Sequence, residues 1–182
     1  MSLHLILGGA RSGKSGHAER LAIAAGTPVT YIATARAGDA EMRARIAHHR
    51  AQRPAHWQTA EAPLELAGAL RRHAAPGRLV IVDCLTLWLT NLLFDGREHE
   101  AAEGVIEPPP AYAREHAALL EALPGLPGTV LCVSNEIGFG VVPLGALTRF
   151  FTDEMGRLNQ AVAAQAQRVT LMVAGLPLEL KA

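Results

Sequence analysis

LHLILGGARSGKS, residues 3–15, decides the fold. Leu3 to Leu7 is an apolar run of strand length, GGARSGKS from Gly8 to Ser15 fits G-x-x-x-x-G-K-[ST], and a helical pattern begins at Ser15. Strand, glycine-rich loop and helix form the setting in which that spacing binds a nucleotide's phosphates. Gly8 and Gly13 let the backbone wrap an anion where a Cβ would obstruct it, so that the N–H groups of Gly9, Ala10, Arg11 and Ser12 and the helix N-terminus face the phosphates. Lys14 is expected at the β- and γ-phosphates and Ser15 on Mg²⁺. The loop names the ligand and leaves the reaction open.

Outward from the loop, strand-like and helix-like segments alternate. Candidate strands are Leu3 to Leu7, Val29 to Thr34, Leu79 to Asp83, Thr129 to Ser134, Val169 to Val173 and a short one near Leu178 to Leu180. Helices are expected from about Ser15, Asp39, Pro63, Leu85, Pro110 and Leu144. This alternation predicts an α/β fold of the P-loop NTPase-like, RecA-like kind, with a mostly parallel sheet and helices on both faces. At 182 residues a single catalytic domain over 1–182 is long enough to bury its own core. The polar, Pro-rich stretch from Asp95 to Pro110 reads as a mobile surface loop.

Composition narrows the partners. Lys plus Arg equals Asp plus Glu at 17 each, so no basic excess favours nucleic acid. No apolar run reaches bilayer length and the N-terminus is already strand and loop, so a cytoplasmic protein without a membrane span is expected. Cys84 and Cys132 lack metal-ligand spacing and read as buried free thiols.

Two acids stand at strand ends, where open α/β sheets bind ligands. Asp83 closes LVIVD and is the candidate Walker B carboxylate for Mg²⁺; capping the helix from Leu85 is the other reading. Glu136 follows TVLCVS and either orients a nucleophile or contacts a second substrate, or is simply solvated.

The histidines of EMRARIAHHRAQRPAHW, residues 41–57, are not part of ordinary P-loop chemistry. At about 100° per residue, Met42 and Ile46 define a buried stripe, with His49 about 60° from Ile46 and His48 on the far side near Arg45 and Gln52. A neutral imidazole there is a competent nucleophile for a phosphoryl group, and Arg45 and Arg50 suit the anion attacked. A plain surface HH pair is the competing reading. Trp57 is expected to pack the helix end, and His17 to be solvated or packed.

GGARSGKS, YIATA at Tyr31 to Ala35, RIAHHRAQRPAHW, SNEIGFGVVP at Ser134 to Pro143 and the segment from Gly156 to Lys181 together resemble the bifunctional adenosylcobinamide kinase/adenosylcobinamide-phosphate guanylyltransferase family. The resemblance spans essentially the whole chain. It implies phosphorylation of adenosylcobinamide by ATP or GTP, then transfer of GMP from GTP through a covalent histidine adduct to give adenosylcobinamide-GDP. The guanylylated histidine of the family aligns with His48. Nucleotide contacts carried over by motif are Gly8 to Ser15, Thr34, Ala35 and Arg36, His49, Arg50, Ala51 and Gln52, Glu61 and Asp83. Glu61 suits guanine, whose N1 and N2 donors adenine lacks. A homotrimer is implied as well. Because the P-loop grips β- and γ-phosphates while His48 must meet an α-phosphate, either a second nucleotide pose or a moving helix is expected, with flexible borders at Arg36 to Asp39 and Arg53 to Pro54. The competing functions are a small-molecule kinase without nucleotidyl transfer and a nucleotide-dependent switch.

Overall fold

The computed structural model describes residues 2–36, 38, 40–51, 53–94 and 106–182, without the side chains of Glu41, Met42, Arg45 and His48. Gln52 and most of the loop expected from Asp95 to Pro110 therefore lie outside the described residues, as do the side chains of the proposed nucleophile and of the Met42 stripe.

The elements follow in the order β1 (Ser2–Gly8), α1 (Lys14–Ala25), β2 (Val29–Ala33), α2 (Ala40–Ala51), β3 (Gln58–Glu61), α3 (Leu66–His73), β4 (Leu79–Asp83), α4 (Leu85–Phe94), α5 (Pro110–Ala122), β5 (Thr129–Asn135), α6 (Ala146–Gln165), β6 (Arg168–Val173) and β7 (Leu176–Lys181). The strands form one sheet in the order β3-β2-β4-β5-β1-β6-β7. All neighbours are parallel except β6 and β7, which form an antiparallel hairpin. The carboxyl ends of β1 to β6 thus share one edge, and β5 lies between the P-loop strand and the Asp83 strand.

Strand alternation sorts the core into two layers. Leu3, Leu5, Leu7, Val80, Val82, Val130 and Cys132 face α3, α4, α5 and α6. Within that layer α4, LTLWLTNLLF, is apolar almost all round, and Trp88, Leu89 and Leu93 are fully or almost fully buried, as a helix of that pattern requires. On the other face Ile6, Tyr31, Ile81 and Val133 meet Ala18 and Ala22 of α1, together with Trp57. Trp57, expected at the helix end, packs into this core.

Two differences from the sequence reading concern strands. QTAE forms β3, an edge strand with no apolar run to announce it, and the last strand extends over Leu176–Lys181. Every residue of β7 is exposed, including Leu176, Leu178 and Leu180.

Candidate functional site

The P-loop is built by close backbone approach. Gly8 ends β1 between β5 and β6, and a Cβ there would lie 2.8 Å from the Met172 carbonyl oxygen and 2.4 Å from Ser12 Oγ. Gly13 sits at φ 93°, in the left-handed region that favours glycine, and a Cβ on it would approach Gly175 Cα to 3.3 Å. Gly175 belongs to the β6–β7 turn, and its N–H donates to the Ser12 carbonyl (3.0 Å). The hairpin therefore braces the loop from outside. Gly9, Ala10 and Arg11 are exposed at its tip, with Arg11 at φ 56°. Gly13, the N-cap of α1, has no side chain to cap the helix. Ser12 Oγ is buried without a hydrogen-bond partner among the described residues, so its hydroxyl is left available to a ligand in the cradle.

Lys14 lies almost buried, with Nζ donating to the Gly9 carbonyl (2.9 Å) across the loop. Burial lowers its pKa below the ordinary lysine value, opposed by Cys84 and by the nearby Asp83 carboxylate. The strand-end acid is thus electrostatically linked to the P-loop. Tyr31 and Asp83 project from the same sheet face, Tyr31 opposite Ile81 and Asp83 one step diagonal to it. The Tyr31 hydroxyl donates to Asp83 Oδ2 at 2.5 Å. Burial, followed by Asp83, pushes the Tyr31 pKa well up, so the phenol keeps its proton. The Leu87 N–H in the first turn of α4 meets Cys84 Sγ (3.5 Å), while the Asp83 carboxylate meets Tyr31.

Behind Asp83 the edge is tied by backbone-directed side chains. Thr34, fully buried, donates Oγ1–H to the Cys84 carbonyl (2.7 Å) and accepts the Cys84 N–H (2.8 Å). Asn91 Nδ2 donates to the carbonyls of Thr34 (2.8 Å) and Pro63 (3.0 Å). On the far side the Asn135 N–H donates to Thr86 Oγ1 (2.8 Å), and the Glu136 N–H to the Gly8 carbonyl (3.1 Å). The Glu136 carboxylate accepts the Gly138 N–H, a local turn contact. The cysteines are buried and free, their thiols pushed up by burial to about 11 at Cys84 and about 12 at Cys132.

The structure brings Gly8 to Ser15, Thr34 and Asp83 to one edge, with Ala35 half-buried and Arg36 exposed just beyond β2. Glu61 is exposed at the end of β3, four strands from β1, or about 19 Å at about 4.8 Å per strand. His49, Arg50 and Ala51 are exposed on α2, and His48 lies on that helix. Arg53 departs from expectation: placed by sequence at a flexible border, it is half-buried and stacked over Tyr31, 3.3 Å from the ring centroid. Tyr31, Arg53, Glu19 and Gly175 are the participants sequence reasoning missed, and YIATA was the nearest signal for any of them. A groove of about 590 Å³ lined by Ile23, Pro28, Trp57, Gln58 and Arg78 lies at the opposite, amino edge of the sheet, away from the phosphate chemistry.

Ser15 and Asp83 are both half-buried and offer hard oxygen donors. No three His, Cys, Asp or Glu side chains converge into a metal cage among the described residues. That donor set fits Mg²⁺, which Ser15 and Asp83 would hold alongside a bound triphosphate.

Residues 4–180 match the family model for cobinamide kinase / cobinamide phosphate guanyltransferase. The chain belongs to this family. It is similar to the bifunctional adenosylcobalamin biosynthesis protein CobP of Pseudomonas aeruginosa, with 58% identity over 97% of this chain and 96% of that one. The CobU proteins of Escherichia coli and Salmonella typhimurium are each 42% identical over 97% of this chain and 98% of theirs. As a member of the cobinamide kinase/guanylyltransferase family, the chain carries both activities, phosphorylating adenosylcobinamide and transferring GMP from GTP. Among solved structures it resembles an ATPase of a bacterial type III secretion system (TM-score 0.53, 10% identity, 98% of this chain but only 56% of that one). It also resembles the RadB recombinase (TM-score 0.50, 15% identity, 93% and 73%). At such identities these likenesses speak for the fold, a RecA-like P-loop NTPase sheet.

Proposed function

We propose that this kinase/guanylyltransferase divides its two reactions between two elements: the P-loop presents a γ-phosphoryl for direct transfer, and His48 on α2 becomes covalently guanylylated. In the kinase half, the hydroxyl of adenosylcobinamide attacks the γ-phosphorus, the bond to the β-phosphate oxygen breaks to release the nucleoside diphosphate, and the hydroxyl proton leaves to solvent. Lys14 and the loop N–H groups hold the charge that develops. Mg²⁺ held by Ser15 and, directly or through water, by Asp83 would neutralise charge on the transferring group. Both ATP and GTP suit this step, because the loop grips phosphates and ignores the base.

In the second half, a neutral ring nitrogen of His48 attacks the α-phosphorus of GTP, forming a P–N bond as the bond to pyrophosphate breaks. A phosphate oxygen of adenosylcobinamide phosphate then attacks the same phosphorus, releasing the imidazole and giving adenosylcobinamide-GDP. His49, Arg50, Ala51 and Gln52 border the nucleotide, Ala35 and Arg36 line it beyond β2 with the buried Thr34 supporting them from behind, and Glu61 reads guanine through its N1 and N2 donors.

The observation that carries the reading is the separation itself: a braced phosphate cradle with an orphan Ser12 hydroxyl at the end of β1, and an HH pair on a different element. Exposed Leu176, Leu178 and Leu180 on β7, with Phe139, Val141 and Leu144 in the loop after β5, support assembly of several copies, in keeping with a homotrimer. Free buried thiols and nucleoside triphosphate substrates fit a cytoplasmic setting. No described helix is long and apolar enough to cross a membrane.

The test is incubation with GTP labelled at the α-phosphate, denaturation, and mass mapping of the labelled peptide. An acid-labile, alkali-stable adduct on the His48 peptide is expected. Label on any other residue, or none in the presence of active kinase, contradicts the covalent step.

A further inference from the structure

The helix that carries the HH pair is held unevenly. Among the described side chains of α2, all are exposed, from Ala40 and Arg43 to Arg50 and Ala51, except the half-buried Ile46. Just beyond its C-terminal end, Arg53 lies with its guanidinium carbon 3.3 Å from the centroid of the Tyr31 ring, and its Nε is 3.7 Å from Glu19 Oε1. That Nε is buried and makes no hydrogen bond among the described residues, and the ring face and the Glu19 charge offset its desolvation. The ring is well suited to this, because its hydroxyl donates to the Asp83 carboxylate and that polarisation makes its face more negative. A continuous set of contacts therefore runs from Glu19 on α1 through Arg53 and Tyr31 to the acid at the end of β4.

Arg53 lies two residues beyond the end of α2, and a one-residue change in the seating of that helix would swing its side chains by about 100°. We propose that Arg53 and Tyr31 are positioning residues for guanylyl transfer: Arg53 on the Tyr31 ring fixes where α2 presents His48 relative to the P-loop and Asp83. Neither side chain touches the reacting atoms. This rests on His48 being the nucleophile.

The test uses the full chain with Arg53→Gln, Arg53→Lys, Tyr31→Leu and the double variant Arg53→Gln/Tyr31→Leu, measuring single-turnover labelling of His48 from α-labelled GTP beside the steady-state kinase reaction. Arg53→Gln is expected to slow labelling about 100-fold at saturating GTP while kinase kcat falls less than about threefold. Arg53→Lys, which keeps a cation for the ring, recovers at least about tenfold of that loss. Tyr31→Leu slows labelling like Arg53→Gln, and the double variant is no slower than about twofold below the worse single, as a shared contact requires. Labelling in Arg53→Gln within about threefold of the unaltered protein overturns the proposal, as does an equal loss of both activities in every variant, including the conservative Arg53→Lys. If the unaltered protein itself takes no label on His48, it is the covalent chemistry that fails, and the positioning role falls with it.

Discussion

The P-loop and α2 are both expected to handle one nucleotide, yet they are supported in opposite ways. The loop is wedged between strands, closed by Lys14 onto Gly9, braced by the Gly175 turn and too tight at Gly8 for any side chain. The described side chains of α2 face mostly outward, and just beyond its end Arg53 stacks on Tyr31. Electrostatic stabilisation of a transferring phosphoryl needs donors fixed before the substrate arrives. A nucleophile that must reach a different phosphorus needs placement, and one stacked arginine can supply it without burying the helix.

If the loop is the fixed half, removing its charge should damage both reactions. Lys14→Ala is expected to lower kinase turnover by about 10²- to 10³-fold and to weaken guanylylation as well, checked with γ- and α-labelled GTP in parallel. Loss of kinase alone would mean that the guanylyl pose does not use the loop.

The bracing of that half has its own signature in pH. His4 on β1 bonds through Nε2 to Thr170 Oγ1 on β6 (2.7 Å), and Thr170 Oγ1–H donates to Glu179 on β7 (2.9 Å). Burial, reinforced by Arg168 and His17 and opposed by Glu179, lowers the His4 pKa from 6.5 to about 4. The fold therefore holds the neutral ring. The contribution is fully present above the unfolded value of 6.5, and it is lost as pH falls toward about 4, because the unfolded chain binds a proton there that the folded chain refuses. Denaturant unfolding across this window should lose about 3 kcal/mol from this site, and His4→Gln should flatten that arm. An unchanged slope in His4→Gln would assign the acid loss to other groups, His17 and His116 first, whose pKa values burial also lowers.

Gly8→Ala sharpens the contrast at a single atom. The added methyl meets the Met172 carbonyl, which is backbone and cannot rotate away, so the loop should shift. We expect a loss of about 1–3 kcal/mol in stability and at least about tenfold in nucleotide affinity, read by thermal unfolding and fluorescent-nucleotide titration. Unchanged affinity would show that the cradle tolerates displacement.

The sheet was legible because LHLIL, LVIVD and TVLCVS are apolar runs whose burial the solvent demands, and because glycine and lysine at fixed spacing can mark only a few kinds of turn. QTAE was not, since an edge strand of four polar and small residues carries no burial signal. Asp83 was legible as a strand-end acid, but its partner was not: Tyr31 reaches it diagonally from a strand 52 positions earlier, and no local pattern encodes that pairing. The same holds for Gly175, whose contact with Ser12 closes only when the hairpin folds back onto β1. Arg53 misled most. Beside a proline it reads as a loop end, whereas its burial depends on a ring presented by β2.

The most direct measurement is product partitioning in His48→Ala, supplied with adenosylcobinamide and GTP labelled separately at the γ- and α-phosphates. The account predicts that adenosylcobinamide phosphate accumulates near the unaltered rate while no adenosylcobinamide-GDP forms. Formation of adenosylcobinamide-GDP at an undiminished rate would contradict it, because the guanylyl group would then be travelling without His48.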